Sequence, residues 1–148
     1  MAVDRERLER AVAEVLEALG ENPSREGLAQ TPALVAQSLT DFVVGLDEDP
    51  ASYLAERLPA TEVSDLVMVT NVSFRSLCEH HLLPITGIAH IGYLPAEHVV
   101  GLGKLARVLQ SVAARPQIQE RIGEMTADVI DTELAPRGVV VILDAVHQ

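Results

Sequence analysis

The order of apolar and polar positions divides the chain into a helical first third and a remainder in which strands and helices alternate. Leu8, Val12, Val15, Leu16 and Leu19 recur at helical spacing, Asp4 stands where an N-terminal cap belongs, and Gly20 supplies the stop. Pro23-Ser24-Arg25-Glu26-Gly27 reads as a turn. Thr31 followed by Pro32 predicts a cap with proline at the first helical position, opening a helix through Leu34, Val35 and Leu39 toward Val43. Gly45 and the acidic run Asp47-Glu48-Asp49-Pro50 end it, and a short helix is predicted from Ser52 to Leu58.

From Leu66 the period changes. The stretch through Phe74 is β-rich and leads into Cys78-Glu79-His80-His81, which Pro84 closes. Thr86–Leu94 reads as a second strand, with Ile88, His90 and Gly92 on one face and Ala89, Ile91 and Tyr93 on the other. Residues 102–115 form a helix with Leu105, Val108, Leu109 and Val112 as its apolar stripe. A further helix is predicted from Gln117 to Leu134, and Pro136-Arg137-Gly138 turns into a strand over Val139–Leu143. The pattern gives an α+β fold, an antiparallel sheet with two helices on one face. It places a helical arm over 1–58 and the α+β unit over 59–148.

Composition narrows the classes of function. A chain of 148 residues buries one core, and a single cysteine excludes an internal disulfide framework. No basic-apolar-small leader opens the sequence and no apolar run approaches bilayer length, so the expectation is a cytoplasmic protein with no membrane partner. A net charge of −11 argues against nucleic acid, because binding a phosphate backbone needs a broad basic surface. With 48% hydrophobic residues in so short a chain, some apolar surface is expected between subunits of a homo-oligomer.

Candidate chemistry centres on Cys78-Glu79-His80-His81. A thiolate and an imidazole three positions apart converge where the chain turns, so Cys78 and His81 are a candidate half-site for tetrahedral zinc, with His80 free to move protons. Cys78 as an inert packing residue, beside a polar strand end, is the open alternative. On the 102–115 helix, Lys104, Arg107, Ser111 and Arg115 fall on one face, a field suited to a polyphosphate or else a solvated basic face. Glu120, beside Gln119, could accept from a ring N–H and an exocyclic amine together, the edge guanine presents, or could be an ordinary first-turn acid. His147 follows the last strand and by itself reads as an exposed terminal residue.

Taken together these residues resemble GTP cyclohydrolase I. The resemblance rests on Glu21–Leu28 with Thr31-Pro32, on Ser76–Pro84, on Val100–Arg107, on Gln117–Arg121 and on Ala145-Val146-His147. It implies the tunnelling fold, in which small α+β subunits join their sheets into a ring, commonly a decamer of two pentamers with active sites between subunits. It also implies that Cys78 and His81 bind Zn²⁺, that His80 and His147 transfer protons, that Glu120 and Gln119 grip guanine, and that Lys104 and Arg107 hold the triphosphate of GTP. The implied reaction opens the imidazole ring of GTP, releases C8 as formate and rearranges the ribose to give 7,8-dihydroneopterin triphosphate, the entry to folate or related pterins. The family's second zinc cysteine would fall just beyond Gln148; Gly103 stands where serine is usual, and Pro116 where leucine is usual. Two other readings stay open on these departures: a silent purine- or pterin-binding paralogue, and a zinc-free enzyme of the same fold that uses Cys78 as nucleophile.

Overall fold

The computed structural model describes residues 3–60 and 65–147. Helix α1 (Arg5–Ala18) is capped as expected, with Asp4 accepting the Arg7 amide at 2.9 Å. Helix α2 (Thr31–Phe42) starts one residue earlier than the sequence suggests: Gln30 precedes it, Thr31 already lies in the helix, and no side chain caps it. The two helices pack on each other, yet α1 buries no residue fully and Val15, Leu19 and Leu34 remain exposed.

Two 3₁₀ turns, Val44–Asp47 and Pro50–Leu54, replace the short helix predicted over 52–58. Asp49 accepts the Ala51 amide and Leu54 is fully buried, which fixes the second turn against the core. Gly45 lets the first turn lie on the main helix of the core: a Cβ there would stand 2.1 Å from the Ser111 carbonyl oxygen.

Strand β1 (Leu58–Pro59) pairs with β4 (His98–Val99) in a small separate sheet. The main sheet is built from β2 (Val67–Cys78), β3 (Pro84–Leu94), β5 (Pro116–Gln117) and β6 (Gly138–His147), in the order β5-β2-β3-β6. β2–β3 and β3–β6 are antiparallel, as the alternation implies. β5 is the exception, a short parallel edge that pairs Cys78 with Gln117. Residues 116–117 thus leave the predicted helix to extend the sheet. Asn71, at φ 56°, sits in a bulge of β2 between Val69 and Val72, a backbone state asparagine tolerates.

Helices α3 (Leu102–Ala113) and α4 (Gln119–Leu134) cover one face of this sheet. Ile85, Ala89, Ile91 and Tyr93 meet Leu105, Val108, Leu109, Ile122 and Ile130, all with no exposed surface. Each such Leu or Ile contributes about 1.5–3 kcal/mol on burial. The opposite face leaves Met68, Ile88, Val140, Ile142 and Val146 exposed. Among the described residues no helix is long and apolar enough to cross a membrane.

Candidate active site

The Cys78-Glu79-His80-His81 segment forms the loop of the β2–β3 hairpin. Cys78 N–H donates to Leu83 O and Leu82 N–H donates to Cys78 O, both at 2.8 Å, so reciprocal backbone bonds close the turn. Leu82 adopts φ 57°, a left-handed state that is uncommon for a branched side chain and lets the loop double back so tightly. Cys78 is buried, whereas Glu79, His80 and His81 are exposed.

Two other segments arrive at this turn through the sheet. The parallel β2–β5 pairing sets the start of α4 beside Cys78, and Glu79 N–H donates to Gln117 O at 3.0 Å. Arg121, in the first turns of α4, reaches back to Glu79 at 3.5 Å. From the other side, β6 pairs with β3 so that His147 stands opposite Ile85, next to the proline that begins β3. His147 Nε2 lies 3.1 Å from Gln119 Oε1, joining the end of β6 to the start of α4. Gln119 Nε2 donates to Leu143 O at 3.3 Å, which orients the amide with its oxygen toward the imidazole. With the amide in this orientation, the tautomer of His147 that carries hydrogen on Nε2 satisfies the contact. Glu120 is exposed one residue on, at the rim of a depression of about 390 Å³ that also involves Gln119, Gly123 and Leu143.

The imidazole nearest the thiol is not the one that three-residue spacing picks out. His80 Nδ1 is 3.9 Å from Cys78 Sγ, while His81 Nδ1 accepts the Leu83 amide at 3.2 Å. His81 would have to turn from Leu83 to share an ion with Cys78, a rotation open to an exposed ring. Thiol and imidazole donors suit zinc in kind, but a catalytic zinc site takes three protein ligands. Among the described residues no three His, Cys, Asp or Glu side chains converge to hold a metal ion.

The cations of α3 behave as two sets. Lys104 pairs with Glu56 at 3.3 Å, and the Arg107 guanidinium lies over the Tyr53 ring, 5.7 Å from its centroid. Arg115 turns inward and donates to Gly45 O at 2.6 Å, and Ser111 is buried, so neither joins an exposed cationic stripe. Helical projection fails for Arg115 because the helix ends at Ala113, whereas Ser111 lies within the helix on its buried side. Lys104 lies roughly 13 Å along the axis from that end, where the chain passes on to Cys78's partner Gln117. Among the described residues no hydrogen bond or ion pair links Lys104 or Arg107 to the Cys78 turn, Gln119, Glu120 or His147.

The segments that converge here fall within a single match to known proteins: the family model described as GTP cyclohydrolase I covers residues 8–148. The chain belongs to the GTP cyclohydrolase I family. It is 49% identical over 145 residues to GTP cyclohydrolase 1 of Leifsonia xyli, covering 97% of this chain and 76% of that protein. It is 50% identical to GTP cyclohydrolase 1 of Rhodopirellula baltica (98% of this chain, 63% of that protein) and 44% identical to that of Bacillus subtilis (98% and 76%). The α+β sheet with helices on one face is the tunnelling fold of GTP cyclohydrolase I. Sequence reading missed the Glu79–Arg121 tie and Tyr53 beneath Arg107, because each joins residues distant along the chain and neither carries a local motif.

Proposed function

We propose that this protein catalyses the hydrolytic opening of the imidazole ring of GTP: water breaks both C–N bonds to C8, that carbon leaves as formate, and the ribose rearranges and condenses with the freed amine, losing water, to give 7,8-dihydroneopterin triphosphate. The observation that carries the reading is the contact between His147 and Gln119 beside the Cys78 turn, which gathers three of the family's sequence segments at one place. His147, held by Gln119, is one proton carrier. His80, at the same turn, is the second proton carrier. Glu120 accepts from the N1–H and 2-amino group of guanine, and Lys104 and Arg107 hold the triphosphate.

Cys78 and His81 would hold a zinc ion, with a further donor from outside the described residues. When bound, such an ion supplies Lewis acidity and lowers the pKa of water to about 7. The separation of Lys104 and Arg107 from the Cys78 turn supports a site shared between subunits of a homo-oligomer. Among the described residues most of the outer edges of β2 and β6 have no strand partner, which, with the exposed apolar face of the sheet, supports a ring of joined sheets and the family's decamer of two pentamers.

Zinc content and turnover, measured on the same purified protein, test the reading. The expected result is about one zinc per subunit with GTP-dependent formate release. His80→Ala should keep the metal and stop turnover, and Cys78→Ala should lose the metal. Full activity in either variant overturns the assignment. Metal-free protein that binds GTP without turning it over would establish a silent binding protein instead.

A further inference from the structure

We propose that Tyr53 is a positioning residue for Arg107, holding the guanidinium over its ring so that the N–H groups stay available to a polyphosphate. The inference rests on the reading of Arg107 as a triphosphate contact.

The two α3 cations are held in different ways. Lys104 is neutralised by Glu56, a partner that an incoming phosphate must displace. Arg107 is held differently: among the described residues no hydrogen bond or ion pair engages its donors, the Tyr53 ring lies 5.7 Å away, and the Glu48 carboxylate that lines the same cavity is a hydrogen-bond partner of Tyr53. That distance is within the range of a cation–π contact. A cation–π contact draws on the charge of the guanidinium without taking up its N–H donors, which a forked contact to phosphate uses. It thus removes rotamer freedom from a long exposed side chain without cancelling its charge.

The ring is a fixed platform. Tyr53 lies in the Pro50–Leu54 turn, next to the fully buried Leu54, and Ser52 Oγ donates to Asp49 O within the same turn. A cavity of about 220 Å³ opens between Tyr53, Arg107 and Ser111, whose buried hydroxyl has no partner. Burial, with the Glu48 carboxylate nearby, raises the Tyr53 phenol above its usual range, and Arg107 only partly opposes this. The ring accordingly stays a neutral phenol at physiological pH, rather than a phenolate that would pair with the guanidinium and compete with phosphate.

The test is calorimetric titration of the full chain with GTP and with GMP, using phenylalanine, difluorophenylalanine and pentafluorophenylalanine at position 53 and Arg107→Ala as reference. Fluorination drains the ring face of negative potential at nearly constant size, and unfolding midpoints confirm that the series stays folded. The GTP dissociation constant should rise about two- to fivefold along the series, the size of an exposed cation–π contact, with GMP unaffected. The trend should vanish when Arg107 is alanine. A flat GTP series alongside a weakened Arg107→Ala overturns the proposal alone, as does equal weakening of GTP and GMP. Unchanged GTP affinity in Arg107→Ala overturns the triphosphate reading of Arg107 and this proposal with it.

Discussion

Replacing Gly87 with alanine probes whether the β3–β6 ladder is what carries His147 to the Cys78 turn. Gly87 pairs with Ala145, two positions from the Ile85–His147 pair. A Cβ at 87 would lie 2.3 Å from the Asp144 carbonyl oxygen, 2.9 Å from Ala145 Cα and 3.0 Å from the Phe74 ring. A relaxed carbon–oxygen contact is about 3.3 Å, so β6 must retreat by about 1 Å. The closest atom is backbone, so no side-chain rotation relieves it. Overpacking of this kind costs about 1–3 kcal/mol, and one or two ladder hydrogen bonds add about 1 kcal/mol each. The sum is about 2–5 kcal/mol, read as a lower midpoint in urea unfolding. Turnover should fall more than GTP affinity, because the wedge displaces His147 and leaves Lys104 and Arg107 on α3 untouched. Gly103→Ala is the control: nothing lies within 4 Å of its added Cβ, and the change should be neutral or stabilising by up to about 1 kcal/mol. A Gly87→Ala protein that unfolds at the wild-type midpoint would refute the reasoning.

Glu56→Gln should tighten GTP binding by releasing Lys104; Glu56 is 81% exposed, so the gain stays below about 1 kcal/mol and fades with added salt. An affinity that does not change even at low salt would show that the pair offers no competition. Glu120→Ala should reduce the preference for GTP over ITP, which lacks the exocyclic amine, since a hydrogen bond to a charged group is worth about 1.5–3 kcal/mol; selectivity retained in full would remove Glu120 from base recognition. The Arg25 hydrogen bond and charge hold the Glu21 carboxyl below its usual 4.5. Its folded value lies below its unfolded one, so the pair's contribution is present above the unfolded pKa and is lost as pH falls through the folded pKa. Carboxyl NMR titration should place the Glu21 midpoint under 4.5 in the native protein and return it upward in Arg25→Gln; a native midpoint at or above that value would contradict the pairing.

Apolar periodicity located both α3 and α4, the strand faces and the Asp4 cap, because burial of one face imposes a period of 3.6 or 2 on the residues themselves. It misjudged the positions where local preference meets a distant partner. Residues 116–117 have helical neighbours but pair with Leu77 and Cys78, and Arg115 sits on a helical projection but finds the Gly45 carbonyl. The strand to Cys78 runs longer than its β-rich core because β3 supplies a partner at every step beyond the bulge.

By itself the sequence supplied the candidate side chains and their order, since Cys78, His80, His81, Glu120 and His147 lie in local segments that resemble the family whose model covers residues 8–148. Only the tertiary structure decided which of them meet. His147 reaches Gln119 through a strand pairing, His80 rather than His81 approaches the thiol through a left-handed Leu82, and Tyr53 underlies Arg107 through a turn seated on α3. Each of these depends on backbone hydrogen bonds and packing between segments remote in the chain, and no local periodicity encodes the distance between two segments until the core has closed.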